Sequence, residues 1–337
     1  MRYKTLWERW PKDDDVPGRH RSRLAKALVF DNRDDVPGAL VQQAQELFAE
    51  APPSVVEDRV SEYLDRIDQH FKAHNRFAKS LPLNVAVGGG DGAALPAQQS
   101  LTDWLTKPGS PRICFLTGEP GSGKTYLLDW LGSHVSRRAL GDSASPVPVA
   151  LSLGRTGTRP PADKRALRSC CEHEPPDGFL SKLPDQQALL LLDGLDQSRN
   201  IELDLKPEAY VNLIDGLDRL FGRRARIVIT CRSVDLERLR GHIESRMKIR
   251  SLSVLPVDER LVDEHFASTE AAAQWSRWRS VPEVQKWPRT PFNIRLLELA
   301  LLQAGARSTG DLISALRRRN TAVAARRPRR LLPARRL

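Results

Sequence analysis

The segment Gly118-Glu119-Pro120-Gly121-Ser122-Gly123-Lys124-Thr125 has the form GxxxxGK[ST] and follows the apolar run Ile113 to Leu116. This spacing leaves few folds open, because such a loop needs a buried strand before it and a helix opening after it. Glycine lets the backbone curl around a pyrophosphate, since it reaches dihedrals that side chains forbid and leaves room for phosphate oxygens. Lys124 is then a point charge for the β- and γ-phosphates, and Thr125 offers its hydroxyl to Mg2+. The positive end of the following helix faces the anion. That helix is predicted from Tyr126 to Arg138, with Leu127, Leu128, Leu131 and Val135 apolar. Gly118 through Tyr126, including Glu119, Pro120 and Ser122, are therefore the candidate nucleotide-binding residues.

Beyond the loop, apolar runs alternate with amphipathic stretches. Strands are predicted at Ile113 to Thr117, Val147 to Leu153, Ala188 to Asp193, Ile227 to Cys231 and Ile249 to Leu255, with helices between them, notably Lys124 to Leu140 and Pro207 to Phe221. Buried strands separated by helices imply a parallel sheet covered on both faces. The expected fold is α/β, a P-loop NTPase three-layer sandwich with a parallel central sheet, flanked by N-terminal helices and a C-terminal helical lid. The lid is read at Asp258 to Ala267, Glu270 to Arg279 and Phe292 to Ala304, and the N-terminal helices at Ala39 to Glu50 and Ser54 to Phe77. Val60, Tyr63, Leu64, Ile67 and Phe71 share one face of the latter. Leu81 to Pro96, with its glycine cluster, reads as a flexible linker loop, and Arg155 to Pro184 as an irregular insertion with one short helix. The expected organisation is a helical region of unassigned role (1–80), a linker and lead-in helix (81–110), the NTPase core (111–256), a lid (257–316) and a basic tail (317–337).

Asp193 ends the apolar run Ala188 to Leu192, as expected of the carboxylate that holds Mg2+ beside a phosphate loop, and so pairs with Thr125. Asp196 follows three residues later and could polarise an attacking water, contact the metal through water, or cap the turn. The run Arg226-Ile227-Val228-Ile229-Thr230-Cys231-Arg232 reads as a strand ending in an arginine, at the carboxyl edge of a parallel sheet, where a cation can sense a γ-phosphate. A plain surface arginine is the alternative. Asp196 and Arg232 are the candidate catalytic residues, with Thr125 and Asp193 the candidate metal ligands.

The set GEPGSGKT (118–125), LLLLDGLDQ (189–197) and VITCRS (228–233) resembles the NACHT group of STAND-class NTPases, which occurs in innate-immune receptors and bacterial anti-phage proteins. Asp193-Gly194-Leu195-Asp196 is its most specific element, and the likeness covers roughly residues 80–305. Pro146-Val147-Pro148-Val149 is similar to the family's second strand, and Leu252 to Val257 to its entry into the lid. Thr290-Pro291-Phe292 is similar to the lid segment whose proline packs near the adenine, making Pro291 a further cofactor-binding candidate. The resemblance implies ATP or ADP, with Mg2+, held between sheet and lid, and exchange or weak ATP hydrolysis that switches the molecule between monomer and oligomer. Gln197 stands where the family has glutamate after the second acid, and an amide cannot serve as a general base. The chain stops soon after the lid, so a truncated member, or a subunit whose sensor or effector is a separate protein, is expected. Two other readings stay open: an AAA-like P-loop ATPase that turns over continuously, and a non-catalytic nucleotide-binding interaction module.

The formal charge of +11 falls to +2 without the nine arginines of residues 317–337, so the basic excess belongs to this tail. It is expected to be solvated, with contact to nucleic acid as the alternative. Four cysteines without framework spacing fit a reducing compartment, and Cys170, Cys171 and His173 lack a second ligand pair for a metal. No run of about 18 apolar residues and no signal-peptide core is present, so a cytoplasmic protein with no membrane partner is expected.

Overall fold

The computed structural model of the chain describes residues 53–74, 81–88, 93–142, 144–152, 160–195 and 207–304, almost all within the compact unit Val60–Leu337. The predicted helix Ala39 to Glu50, the tail 317–337, Asp196 and Gln197 lie outside the described residues. Seven strands form one sheet: β1 (Asn84–Val87), β2 (Leu95–Pro96), β3 (Ile113–Thr117), β4 (Val147–Ser152), β5 (Ala188–Asp193), β6 (Arg226–Cys231) and β7 (Ile249–Val254). Their order is β2-β1-β7-β3-β6-β5-β4. The five strands predicted from apolar runs are parallel to one another, as expected.

The flexible-linker reading of Leu81 to Pro96 is corrected. β1 pairs antiparallel with both β7 and β2, so this segment extends the sheet, which is parallel only in its centre. The reason lies in the alternation Leu81-Pro82-Leu83-Asn84-Val85, whose three apolar members are all buried. Neighbouring proline and glycine mask so short a pattern.

Eleven helices occur among the described residues: α1 (Pro53–His74), α2 (Ala97–Thr106), α3 (Lys124–Gly141), α4 (Lys164–Leu167), α5 (Phe179–Lys182), α6 (Pro207–Leu220), α7 (Ser233–Glu244), α8 (Glu259–Ala267), α9 (Ala272–Trp278), α10 (Pro282–Gln285) and α11 (Pro291–Ala304). The insertion thus holds two short helices, α4 and α5, rather than one.

Side-chain alternation along the strands builds two apolar layers. Ile113, Phe115, Leu190, Leu192, Ile227 and Ile229 join Val211, Leu217, Leu236 and Ile243 of α6 and α7. Cys114, Leu116, Leu189, Leu191 and Val228 turn the other way, towards Leu101, Trp104, Leu127 and Leu131 of α2 and α3 and towards the lid. Each fully buried leucine or isoleucine stabilises this sandwich by about 1.5–3 kcal/mol.

The β4 edge is covered. The Tyr63 hydroxyl of α1 donates to the Pro148 carbonyl at 3.0 Å, and Cys171 of the insertion forms an antiparallel bridge with Leu151. α1 then follows α3: Asp68 accepts from Ser133 and pairs with Lys72 and Arg137, and the Phe71 ring lies 5.7 Å from that of Tyr126.

Candidate functional site

Register brings the carboxyl ends of β3, β6 and β5 together, with Thr117 opposite Cys231 and Leu192 opposite Ile229. The phosphate loop leaves β3, Arg232 leaves β6 and Asp193 ends β5 on one edge of the sheet. Gly118, Gly121 and Gly123 have φ of 148°, 77° and 97°, and Gly123 is the left-handed cap from which α3 starts. The loop is therefore an anion cradle in form, with glycine where the backbone requires it.

Lys124 curls back over the loop, its Nζ donating to the carbonyls of Gly118 at 2.8 Å and Glu119 at 2.9 Å. The Thr125 hydroxyl donates to the Asp193 carboxylate, 3.0 Å from Oδ2 and 3.2 Å from Oδ1. The pair expected from sequence is thus in contact across the width of β6. Its all-oxygen donor set suits Mg2+, which takes one or two protein oxygens and fills its octahedron with water and phosphate. Ser122 Oγ is buried without a hydrogen-bond partner beside Gly118, so the loop's own polar groups are not all satisfied internally.

The lid meets the loop directly. The Phe292 amide, at the start of α11, donates to the Gly121 carbonyl at 3.3 Å, and a Cβ on Gly121 would stand 2.8 Å from that of Phe292. A Cβ on Gly123 would come within 2.7 Å of Leu83 Cδ1 and 3.8 Å of Pro291 Cγ. Leu83 and Pro291 thus form an apolar wall beside the loop. Tyr126, the next residue after Thr125, accepts a hydrogen bond from Gln98 at 3.4 Å; burial raises its phenol pKa, and the Gln98 bond opposes that shift. Arg232 caps α7 at the site's edge with an exposed side chain. Asp196 lies outside the described residues.

Residues 112–269 match the family model described as the NACHT domain. The match is consistent with a NACHT-domain NTPase. It supports a nucleotide-binding NTPase, and the matched segment contains the loop, β5 and β6, with the lid continuing past it. No curated protein matches the chain. Among solved structures the chain is similar to C. elegans PCH-2, at 17% identity over 67% of this chain and 65% of that one, with a TM-score of 0.30. It is also similar to domain III of the Thermotoga maritima replication initiation protein DnaA, at 14% identity over 66% of this chain and 90% of that one, with a TM-score of 0.35. Likeness this loose says nothing about substrate or partner. No helix among the described residues is long and apolar enough to cross a membrane.

Sequence reasoning missed Thr230, which reaches Asp193, and Leu83 and Phe292, which touch the loop. Thr230 sits in a β-branched run where threonine reads as an ordinary strand former. Leu83 was hidden beside the short strand β1, and Phe292 stood beside Pro291 without a role of its own.

Proposed function

We propose that the chain is an ATP/ADP-binding switch, in which the lid helix α11 reports the state of the phosphate loop. The contact between α11 and the loop carries this reading. Phe292 and Pro291 approach the loop at Gly121 and Gly123, so anything that reshapes the cradle also displaces the start of α11. Thr125 and Asp193 are the residues that would hold Mg2+, which when bound neutralises phosphate charge and orients the β- and γ-phosphates. Lys124 would exchange its two loop carbonyls for phosphate oxygens, Gly118 to Thr125 would present backbone amides, and Leu83 and Pro291 would shield the bound nucleotide from water. Asp196 and Arg232 are the proposed water-polarising and γ-phosphate-sensing groups. The resemblance to defence and immune NTPases suggests signalling in anti-phage defence, with self-association as the output.

The test begins with the nucleotide that co-purifies with the protein. ADP or ATP in wild type, absent from Lys124→Ala, supports a slowly exchanging switch; assembly in ATP but not ADP, seen by size-exclusion light scattering, supports its output. Rapid multiple turnover without a change of assembly state would sink the switch reading in favour of a continuously working ATPase.

A further inference from the structure

We propose that Thr230 is a positioning residue for the metal-nucleotide site, its buried hydroxyl holding the Asp193 carboxylate in the orientation that nucleotide-bound Mg2+ requires. The inference rests on the nucleotide-binding reading above and extends it to a residue outside the phosphate loop and the strand that carries the aspartate. Thr230 is 1% exposed, on β6, the strand between β3 and β5. A threonine hydroxyl has one proton to donate and two lone pairs to offer. Here the proton goes to Asp193 Oδ1 at 2.7 Å, and a lone pair accepts the Gly194 amide at 2.6 Å. Both bonds end at the metal-side carboxylate or at the residue directly after it.

The consequences are geometric. Gly194 has φ 67°, a left-handed turn that leads the chain away from Asp193, and its amide is tied to the same hydroxyl. Thr125 donates to the same carboxylate. Two threonines, one from the phosphate loop and one from the intervening strand, therefore fix the carboxylate's rotation while its remaining lone pairs stay available to a metal or its water. Mg2+ demands near-ideal octahedral geometry, so a carboxylate freed to rotate serves it less well although its charge is intact. Groups that orient metal ligands in this way are commonly worth 10–100-fold in metal affinity. Valine at this position has the same shape and strand preference but no hydroxyl, and isolates that contribution.

The experiment is calorimetric titration of ADP and ATP into wild type, Thr230→Val and Thr230→Ser, each in excess Mg2+ and in EDTA. Affinity in EDTA is expected to stay within about twofold of wild type in Thr230→Val, while the tightening produced by Mg2+ shrinks by about tenfold or more. Thr230→Ser, which keeps the hydroxyl, should restore the Mg2+ effect. In an Asp193→Asn background Thr230→Val should cost nothing further, because the hydroxyl acts through that carboxylate. A Thr230→Val protein with the full Mg2+ effect, or one weakened equally with and without Mg2+, overturns the proposal; if that variant does not fold, Thr230→Ala is judged by the same two numbers. Wild type that binds no nucleotide under either condition would instead overturn the nucleotide-binding reading itself.

Discussion

The amino and carboxyl edges of the same sheet are both rich in charge, and they use it differently. At the amino edge Arg112 donates to the buried Asp218 at 2.5 and 3.2 Å, Arg223 reaches Asp215 at 3.0 Å, and Arg226 stacks over Trp104 while donating to its carbonyl. Burial lowers the Arg226 pKa, helped by the nearby Arg112 charge. These cations meet acceptors from the fold itself. At the carboxyl edge Lys124 leans on carbonyls of its own loop, Asp193 lies between two hydroxyls, and Ser122 Oγ has no hydrogen-bond partner. Charges closed on one another make a fastener, whereas donors and acceptors ranged along a glycine loop make a receptor.

Substitutions at the two edges should therefore separate stability from binding. Arg112→Met leaves Asp218 buried with only the more distant Arg223, and should cost about 3 kcal/mol in urea unfolding, as loss of one partner of a buried pair does. Nucleotide affinity of the folded protein should stay within about twofold, since the sites are separate. Lys124→Ala should do the reverse: about a 100-fold loss of affinity by calorimetry, with a ligand-free Tm close to wild type. If both substitutions weaken binding alike, the distinction between fastener and receptor fails.

Gly121→Ala sharpens the comparison within the receptor. Gly121 and Gly109 have nearly equal φ, 77° and 76°, but a Cβ on Gly109 meets nothing within 4 Å while one on Gly121 meets Phe292 at 2.8 Å. Both alanines should cost about 1–3 kcal/mol of dihedral strain. Only Gly121→Ala should speed hydrogen exchange at the start of α11. Equal exchange in the two variants would mean that the lid does not lean on the loop.

The smallest effect concerns Asp68, where α1 meets α3. Burial alone would raise its pKa, but Lys72, Ser133 and Arg137 outweigh it and leave the carboxyl below its ordinary value. A folded pKa below the unfolded one gives stability that is present above the unfolded value of about 3.9 and is lost as pH falls through the folded value. Asp68→Asn should flatten that acid slope in Tm and leave the Mg2+ dependence of nucleotide binding unchanged.

The form of the phosphate loop was legible because eight consecutive residues carry it, and β5 because its leucine run ends in an aspartate about 70 residues after Lys124. The parallel strands were found within about a residue, since burial on both faces leaves an unbroken apolar run. What escaped depends on partners far apart in sequence. Thr230 gains its meaning only when β6 is placed between β3 and β5, and the antiparallel strands β1 and β2, at four and two residues, are too short for periodicity to show. The steric role of Gly121 towards Phe292 spans more than 170 positions and could not be read beside its role towards phosphate.

The sheet also carries a rule about how copies of this protein can meet. Its two outermost strands each contain a proline, Pro148 in β4 and Pro96 in β2, and β4 is further occupied by Tyr63 and Cys171. Proline offers no amide to an incoming strand, and natural sheets use it to block edge-to-edge growth. Contact between copies is therefore favoured at helices and loops over strand edges. Growth by adding strand to strand is disfavoured at both rims of this sheet.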